Sequence, residues 1–159
     1  MKRSPLRVKD YFVTDLSIKA NPIDEGVQLP KEGNSNVSTK VETAQNVDNK
    51  RDWKVAIQIK CEPIEKNIGG YSITAELIGF FEVDNGLPED RIEDIVTANG
   101  PAVLYGAARE LVLLMTGRGP FPPFSLPCAT FIDETPSAQK RAAEAQKLLD
   151  LQSKAAELK

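Results

Sequence analysis

Alternation of apolar and polar residues with a period of two is the feature that most constrains this chain. It occurs in four segments, Leu6–Ala20, Val37–Thr43, Trp53–Cys61 and Tyr71–Val83. This period is typical of a β-strand with one buried face. In the first segment the even-numbered positions, among them Leu6, Val8, Phe12 and Leu16, form the predicted buried face. Short connections between successive strands favour an antiparallel sheet whose other face stays in water. That wet face is predicted to carry Asp15, Glu42, Lys54 and Glu76.

One helix is predicted to cover the buried face. The run from Pro101 to Thr116 contains only two charged residues, Arg109 and Glu110. Proline suits the first helical position, and Gly117 ends the run. A helix that is apolar nearly all the way round is buried on more than one side, whereas a four-stranded sheet covers only one. We therefore predict that its second face meets another subunit; the alternative is that loops and the tail of the same chain cover it.

A proline-rich segment follows this helix. Four prolines occur within the eight residues 120–127, with Phe121, Phe124 and Leu126 between them. Prolines at this density exclude a helix and fix an extended path. A plain linker would more often carry serine, glycine and charges. We therefore predict a packed crossover or groove wall, and we call residues 119–127 the strap.

The end of the chain is predicted to be a helical tail. Residues 136–159 are rich in Ala, Gln, Lys, Glu and Leu, with Thr135 available as the N-cap. The apolar stripe of this segment is thin, so the helix should be peripheral. We accordingly divide the chain into one domain, 1–135, and a C-terminal tail, 136–159.

Composition excludes several functional classes. The chain has no histidine, which removes the commonest general base, the usual zinc ligands and the Ser-His and Cys-His nucleophile pairs. No phosphate-binding glycine motif occurs, and a net charge of −3 gives no basis for binding nucleic acid or anionic lipid. Cys61 and Cys128 are predicted to be small buried residues in a reducing compartment. We predict a cytoplasmic protein that is not an enzyme, has no metal or cofactor, and does not insert into membranes.

Two stretches of the sequence resemble the SecB export chaperones. Residues 101–110, PAVLYGAARE, and then RGPFP at 118–122 are similar to a Pro-x-x-Leu-aromatic-x-x-Ala-Arg-Glu helix that leads into Arg-Gly-x-Phe-Pro. Residues 12–20, FVTDLSIKA, resemble the first-strand motif of that family, aromatic-x-x-Asp-x-Ser-x-x-Ala. The resemblance covers about residues 6–134.

The resemblance implies an α+β fold and an oligomer. The fold is a four-stranded antiparallel sheet with a long helix on one face, a Pro-rich crossover and a peripheral C-terminal helix. The oligomer is a homotetramer, a dimer of dimers with the long helices packed between the sheets. The expected interface residues are Leu104, Ala108, Leu111, Val112 and Met115.

The resemblance also implies an ATP-independent holdase that binds unfolded or precursor polypeptides. Its client groove would lie beside the crossover and be formed by Phe121, Pro122, Phe124, Leu126 and Phe131. Members of the family deliver clients to the SecA motor through acidic positions on the open face of the sheet, here Asp15 and Glu76, and through the tail. Lys19 stands where the family usually has an acid, and residues 139–159 hold five basic and three acidic side chains.

Three alternatives remain open, one of which is an enzyme that uses Asp, Glu or Lys in a substrate-sized pocket. Within the same family, the departure at Lys19 favours a chaperone for toxin-antitoxin or stress clients that does not dock on SecA. From a different class, the chain could be an oligomeric scaffold or adaptor that binds one folded partner and ignores unfolded chains.

Overall fold

Four antiparallel strands form a single sheet in the order β1-β4-β3-β2. The computed structural model describes residues 4–26, 35–64 and 70–157. The strands are β1 Leu6–Ala20, β2 Ser35–Gln45, β3 Asp52–Pro63 and β4 Tyr71–Val83. The helices are α1, Ile92–Thr116, and α2, Pro136–Glu157, each preceded by a short 3-10 turn, Glu89–Arg91 and Ile132–Glu134. The predicted α+β fold, with a long helix, a crossover and a C-terminal helix, is confirmed.

Strand order follows from the burial of each strand. In β3 and β4 every second residue is buried beneath α1, and these two strands take the centre of the sheet. β2 is rich in Ser, Thr, Lys and Glu and takes an edge, where polar side chains protect the unpaired backbone. The expected pairing of successive strands holds for β2–β3 and β3–β4, but β1 pairs with β4. Residues 21–34 separate β1 from β2 in the chain, and these two strands form the two edges of the sheet.

Two irregularities in β1 change which side chains face the helix. The register with β4 shifts between Val8 and Asp10 and again between Val13 and Asp15. Such bulges insert an unpaired residue and reverse the alternation. Tyr11 and Val13 therefore lie opposite Gly79 and Leu77, on the helix side, whereas Phe12 lies opposite Ile78, on the open face. The prediction that the even positions of β1 share one buried face is wrong for Phe12.

The core lies between α1 and the odd-numbered residues of β3 and β4. Buried positions of α1 recur every four residues, at Ile92, Val96, Gly100, Leu104, Ala108, Val112 and Thr116. A step of four residues keeps the stripe on one slowly turning face. Close approach requires glycine at Gly100, because an added Cβ would lie 2.8 Å from Val55 Cγ2. This packing holds the far end of α1, where the strap begins, against the sheet.

Helix α1 begins nine residues before the predicted start at Pro101. Pro101 lies inside the helix, although it lacks the N–H that would bond to the carbonyl of Thr97. Ile92 and Val96 add two buried steps to the stripe, and Glu93 and Asp94 place negative charge at the helix N-terminus. These gains outweigh the missing hydrogen bond. The acids Glu93 and Asp94 are thus helix-end residues.

Helix α2 is attached to the body of the subunit through its first turn. The predicted N-cap is confirmed, since Thr135 Oγ1 accepts a hydrogen bond from Ala138 N at 3.3 Å. Asp94 of α1 accepts two more, from Ser137 N at 3.1 Å and Ser137 Oγ at 2.5 Å, and these bonds lower the pKa of the Asp94 carboxyl. Side chains 139–147 are exposed. In the described part of the chain, neither helix is both long and apolar enough to cross a membrane.

Candidate functional site

The strap leaves the end of α1 and runs in extended form to Pro127. The structure divides the five predicted groove residues into two sets. Leu126 and Phe131 are buried in the core, with 0% and 3% of their surface exposed. Phe121 and Phe124 are half-buried against that core, and Pro122 is exposed. Only the second set has exposed surface, and Leu126 and Phe131 anchor the strap to the core beneath it.

Two hydroxyl groups hold the backbone of the strap. Tyr71 Oη accepts a hydrogen bond from Phe121 N at 3.1 Å and can donate to Thr116 O or Phe121 O, at 3.1 and 3.0 Å. Thr116 Oγ1 donates to Val112 O at 2.7 Å and accepts from Phe124 N at 2.9 Å. The rings of Tyr71 and Phe121 also meet edge to face, with centroids 5.6 Å apart. The beginning of β4 and the end of α1 thus fix the two aromatic residues of the strap.

The other end of the strap is held by Tyr105. Its hydroxyl donates to Pro127 O at 2.9 Å, and its ring packs edge to face on Phe131. Burial raises the pKa of the Tyr105 phenol. Cys61 is buried as predicted, and burial raises the pKa of its thiol. The prediction that Cys128 is buried is wrong: it is exposed just beyond the strap, with its Sγ 3.7 Å from Arg109 Nη1.

The open face of the sheet carries the predicted acidic positions. Asp15 of β1 lies directly opposite Glu76 of β4. Like charges directly opposite each other destabilise a strand pair. The negative charge of Glu76 is partly compensated, because Glu76 Oε1 accepts a hydrogen bond from Gln58 Nε2 at 2.5 Å. Lys19 lies on the same face, opposite Ser72. The structure therefore brings Asp15 and Glu76 together. It also places the Lys19 ammonium on the same face, four residues further along β1.

An exposed aromatic pair lies on this same face and was not predicted. The rings of Phe12 and Phe80 meet edge to face with centroids 6.3 Å apart, and 51% and 41% of their surfaces are exposed. They line a cavity of about 500 Å³ together with Lys9, Asp10, Ala44, Gln45, Asn46, Asp52, Trp53, Lys54 and Phe81. Phe80 stands out of the alternation in the run Gly79-Phe80-Phe81, and this was the one signal in the sequence.

The predicted oligomer interface is revised by the burial of α1. Leu104, Ala108 and Val112 have no exposed surface, because they pack on the sheet of their own subunit. Leu111 is half-buried and Met115 is 51% exposed. The apolar side chains that α1 turns outward are Val103, Leu113, Leu114 and Met115. On the same side of the sheet, β1 exposes Val8, Tyr11 and Val13.

Fold and site together define a small α+β protein that displays apolar surface on the helix, the strap and the open sheet face. The family comparison agrees: residues 1–133 match the family described as "Preprotein translocase subunit SecB". The chain belongs to the SecB family.

Curated relatives are also SecB proteins. The "Protein-export protein SecB" of Hyphomonas neptunium is 26% identical over 139 residues, which is 87% of this chain and 81% of the relative. That of Ehrlichia canis is 28% identical over 149 residues, covering 79% of this chain and 84% of the relative. The names of these relatives support the prediction that the chain is an export chaperone.

A solved structure shares the fold. It is a SecB-like chaperone from Mycobacterium tuberculosis in complex with a ChAD peptide from an antitoxin, with a TM-score of 0.57 and 16% identity. The similarity covers 79% of this chain and 91% of that one.

Proposed function

We propose that this protein is an ATP-independent holdase that binds unfolded or precursor polypeptides along the strap. The observation that carries the proposal is the pair of half-buried rings, Phe121 and Phe124, on an extended backbone anchored by buried Leu126. Membership of the SecB family supports it. An apolar groove that binds extended chains needs no catalytic group, because exposed apolar area attracts unfolded segments of many sequences. Neither a cofactor nor a metal enters the proposal.

The energetics fit weak binding at each groove and tight binding by the oligomer. Burial of on the order of 500 Å² of apolar surface contributes about 12 kcal/mol. Ordering a flexible client offsets much of that gain. Several grooves on one oligomer raise the effective concentration of the next one, so avidity restores affinity.

Aggregation suppression tests the proposal. A urea-unfolded, slow-folding polypeptide is diluted into buffer without ATP, and light scattering is followed with and without this protein. Suppression at a near-stoichiometric amount of oligomer is expected. Unchanged scattering at a several-fold excess would refute the holdase and favour the scaffold.

Phe124→Ala locates the groove. It is expected to weaken client capture and leave the oligomer intact, because the ring is half-buried on the surface of the strap. Phe80→Ala is the matched control, since it removes an exposed ring from the opposite face of the sheet. Equal capture by both variants and the wild type would remove Phe124 from the groove.

We propose the open face of the sheet as the docking surface for SecA. The opposed carboxylates of Asp15 and Glu76 would gain from a basic partner. The neighbouring rings of Phe12 and Phe80 would supply an apolar centre with a polar rim. Asp15→Asn is expected to weaken SecA binding in titration calorimetry and to spare client capture. Loss of both activities would place Asp15 in the groove instead.

A second candidate is a chaperone of the same fold that does not use SecA. The exposed cation Lys19 on the docking face favours it, because it opposes a basic partner. Lys19→Glu discriminates between the two: it should strengthen SecA binding if the face docks SecA. No SecA binding by either the wild type or this variant would leave the second candidate.

We propose that the oligomer is a tetramer assembled through the outer face of α1. Leu111, Leu113, Leu114 and Met115 supply the apolar surface there, in place of the buried positions of the same helix. Leu114→Asp is expected to produce a smaller species in sedimentation velocity. A variant that stays tetrameric would exclude this face.

The division of the chain into a chaperone domain, 1–135, and a tail, 136–159, is part of the same proposal. It is supported by the exposure of side chains 139–147 after the first turn of α2. The reducing cytoplasm is the proposed location, because Cys61 and Cys128 are both free thiols.

A further inference from the structure

The backbone N–H and C=O groups of the strap need hydrogen-bond partners from outside the strap. It belongs to no strand or helix, so its backbone groups must be satisfied by other parts of the subunit. Four of its nine residues are prolines, which leaves five backbone N–H groups. Gly119 N bonds to Thr116 O at 3.0 Å, a turn that continues α1. The amides of the two aromatic residues, Phe121 and Phe124, are each taken by a side-chain hydroxyl of another element.

Both hydroxyls belong to residues of regular secondary structure outside the strap. Tyr71 is the first residue of β4, is 6% exposed, and pairs with Ala20 of β1. Thr116 is the last residue of α1, has no exposed surface, and directs its own proton to Val112 O. Its oxygen is therefore left as an acceptor for the strap.

The fit between the strap and Tyr71 is close. A Cβ atom at Gly119 would collide with the Tyr71 hydroxyl and crowd its ring. Glycine therefore allows the backbone to pass over the tyrosine at this point, although its φ is unremarkable. The Phe121 ring contacts the same tyrosine ring in an edge-to-face arrangement.

We propose that Tyr71 and Thr116 are positioning residues of the client groove. They hold the backbone of the strap so that Phe121 and Phe124 present one edge to a client while the other stays packed. The inference rests on the proposed holdase function. A strap that is already ordered loses little conformational freedom when a client binds, whereas a released strap must be ordered at that moment, which lowers affinity.

Hydroxyl deletions test the inference. Tyr71→Phe keeps the ring and its contact with Phe121 and removes only the hydroxyl. Thr116→Val keeps the shape and removes the hydroxyl, and Thr116→Ser restores it. Thr135→Val is the matched control, because Thr135 is also buried and its hydroxyl donates to Ile132 O at 2.8 Å, away from the strap.

Two measurements are made on each variant and on the wild type. Client dissociation constants come from fluorescence anisotropy of a labelled, permanently unfolded polypeptide, and backbone order comes from amide hydrogen exchange. Tyr71→Phe and Thr116→Val are expected to raise Kd about three- to tenfold and to accelerate exchange selectively at Phe121 and Phe124. Thr116→Ser is expected to recover the wild-type values of both quantities.

The possible outcomes distinguish failure of the positioning role from failure of the holdase function. Unchanged Kd in variants whose strap amides exchange faster would overturn the positioning role. Faster exchange throughout the chain, with Thr135→Val weakening binding as much as Thr116→Val, would also overturn it, because the effect would then be general stability. A wild-type protein that binds no client would refute the proposed function, and the inference with it.

Discussion

Truncation of Leu126 to alanine tests whether the strap is anchored as the structure describes. Leu126 lies between exposed residues, yet none of its own surface is exposed, and it packs with the core of α1 and the sheet. Leu126→Ala leaves a cavity, and Pro123 and Pro127 limit how far the neighbouring backbone can relax to fill it. The anchor and groove interpretations of this residue therefore predict different results.

The expected loss follows from burial. Replacing a fully buried leucine by alanine costs about 2–5 kcal/mol, through lost transfer free energy and the cavity that remains. For a domain of this size each kcal/mol lowers the unfolding temperature by about 2–4 °C. A loss of about 3 kcal/mol thus corresponds to a fall of roughly 6–12 °C.

Thermal unfolding followed by far-ultraviolet circular dichroism measures this change. All samples must have one protein concentration, because oligomerisation makes the unfolding temperature depend on it. The control is Leu149→Ala on α2, where 56% of the side chain is exposed. That substitution is expected to change stability by about 0.5 kcal/mol or less.

Equal unfolding temperatures for the two variants would refute the anchored strap. In that event Leu126 would lie on accessible surface, and its loss should instead appear as weaker client binding. A large fall in unfolding temperature, with client binding retained well below the transition, is the result that the structure predicts.

Two further predictions concern the helices. Gly106→Ala should stabilise α1 by about 0.5–1 kcal/mol, because an added Cβ meets nothing within 4 Å, whereas Gly100→Ala should destabilise it through contact with Val55. Parallel thermal unfolding measures both, and a lower unfolding temperature for Gly106→Ala would contradict the first. Acidification should release the first turn of α2, because hydrogen bonds from Ser137 hold the pKa of Asp94 below its ordinary value of 3.8. The stabilisation by Asp94 is complete above that value and is lost as pH falls through the lowered pKa. Amide exchange at Ser137, corrected for its intrinsic pH dependence, should accelerate over this pH range in the wild type. No such acceleration is expected in Asp94→Asn.

Periodicity predicted the strands well and the identity of their faces less well. Tyr71–Val83 was bounded correctly because every odd-numbered residue in it is buried, so that one face of the strand is fully covered. In β1 the alternation is broken twice, and both faces of an edge strand are partly exposed, so the pattern could not show on which side Phe12 lies. A bulge depends on pairing with a partner strand, which a single segment does not encode.

The helix shows a similar limit. An apolar helix in contact with two surfaces has two apolar stripes, and sequence alone does not assign them. Leu104, Ala108 and Val112 were predicted for the subunit interface but pack on the sheet. Buried positions recur every four residues along α1, and Gly100 within this stripe lies close to Val55 of the sheet. These two observations together assign the stripe to the sheet. For the strap, proline content predicted an extended packed segment, while its anchors became evident only from burial.

The strand order has a consequence for synthesis on the ribosome. β1 precedes β4 in the chain, yet β4 is the only partner of β1 in the described sheet. At about 5–20 residues per second, the ribosome needs roughly 3–12 s to make the chain between the end of β1 and the end of β4. During that time the apolar side chains on both faces of β1 have no sheet to join, while β2, β3 and β4 can pair locally as each hairpin is completed. The strand that is made first is therefore the last to be paired, and the nascent chain itself carries an unfolded apolar segment of the kind that the finished protein is proposed to bind.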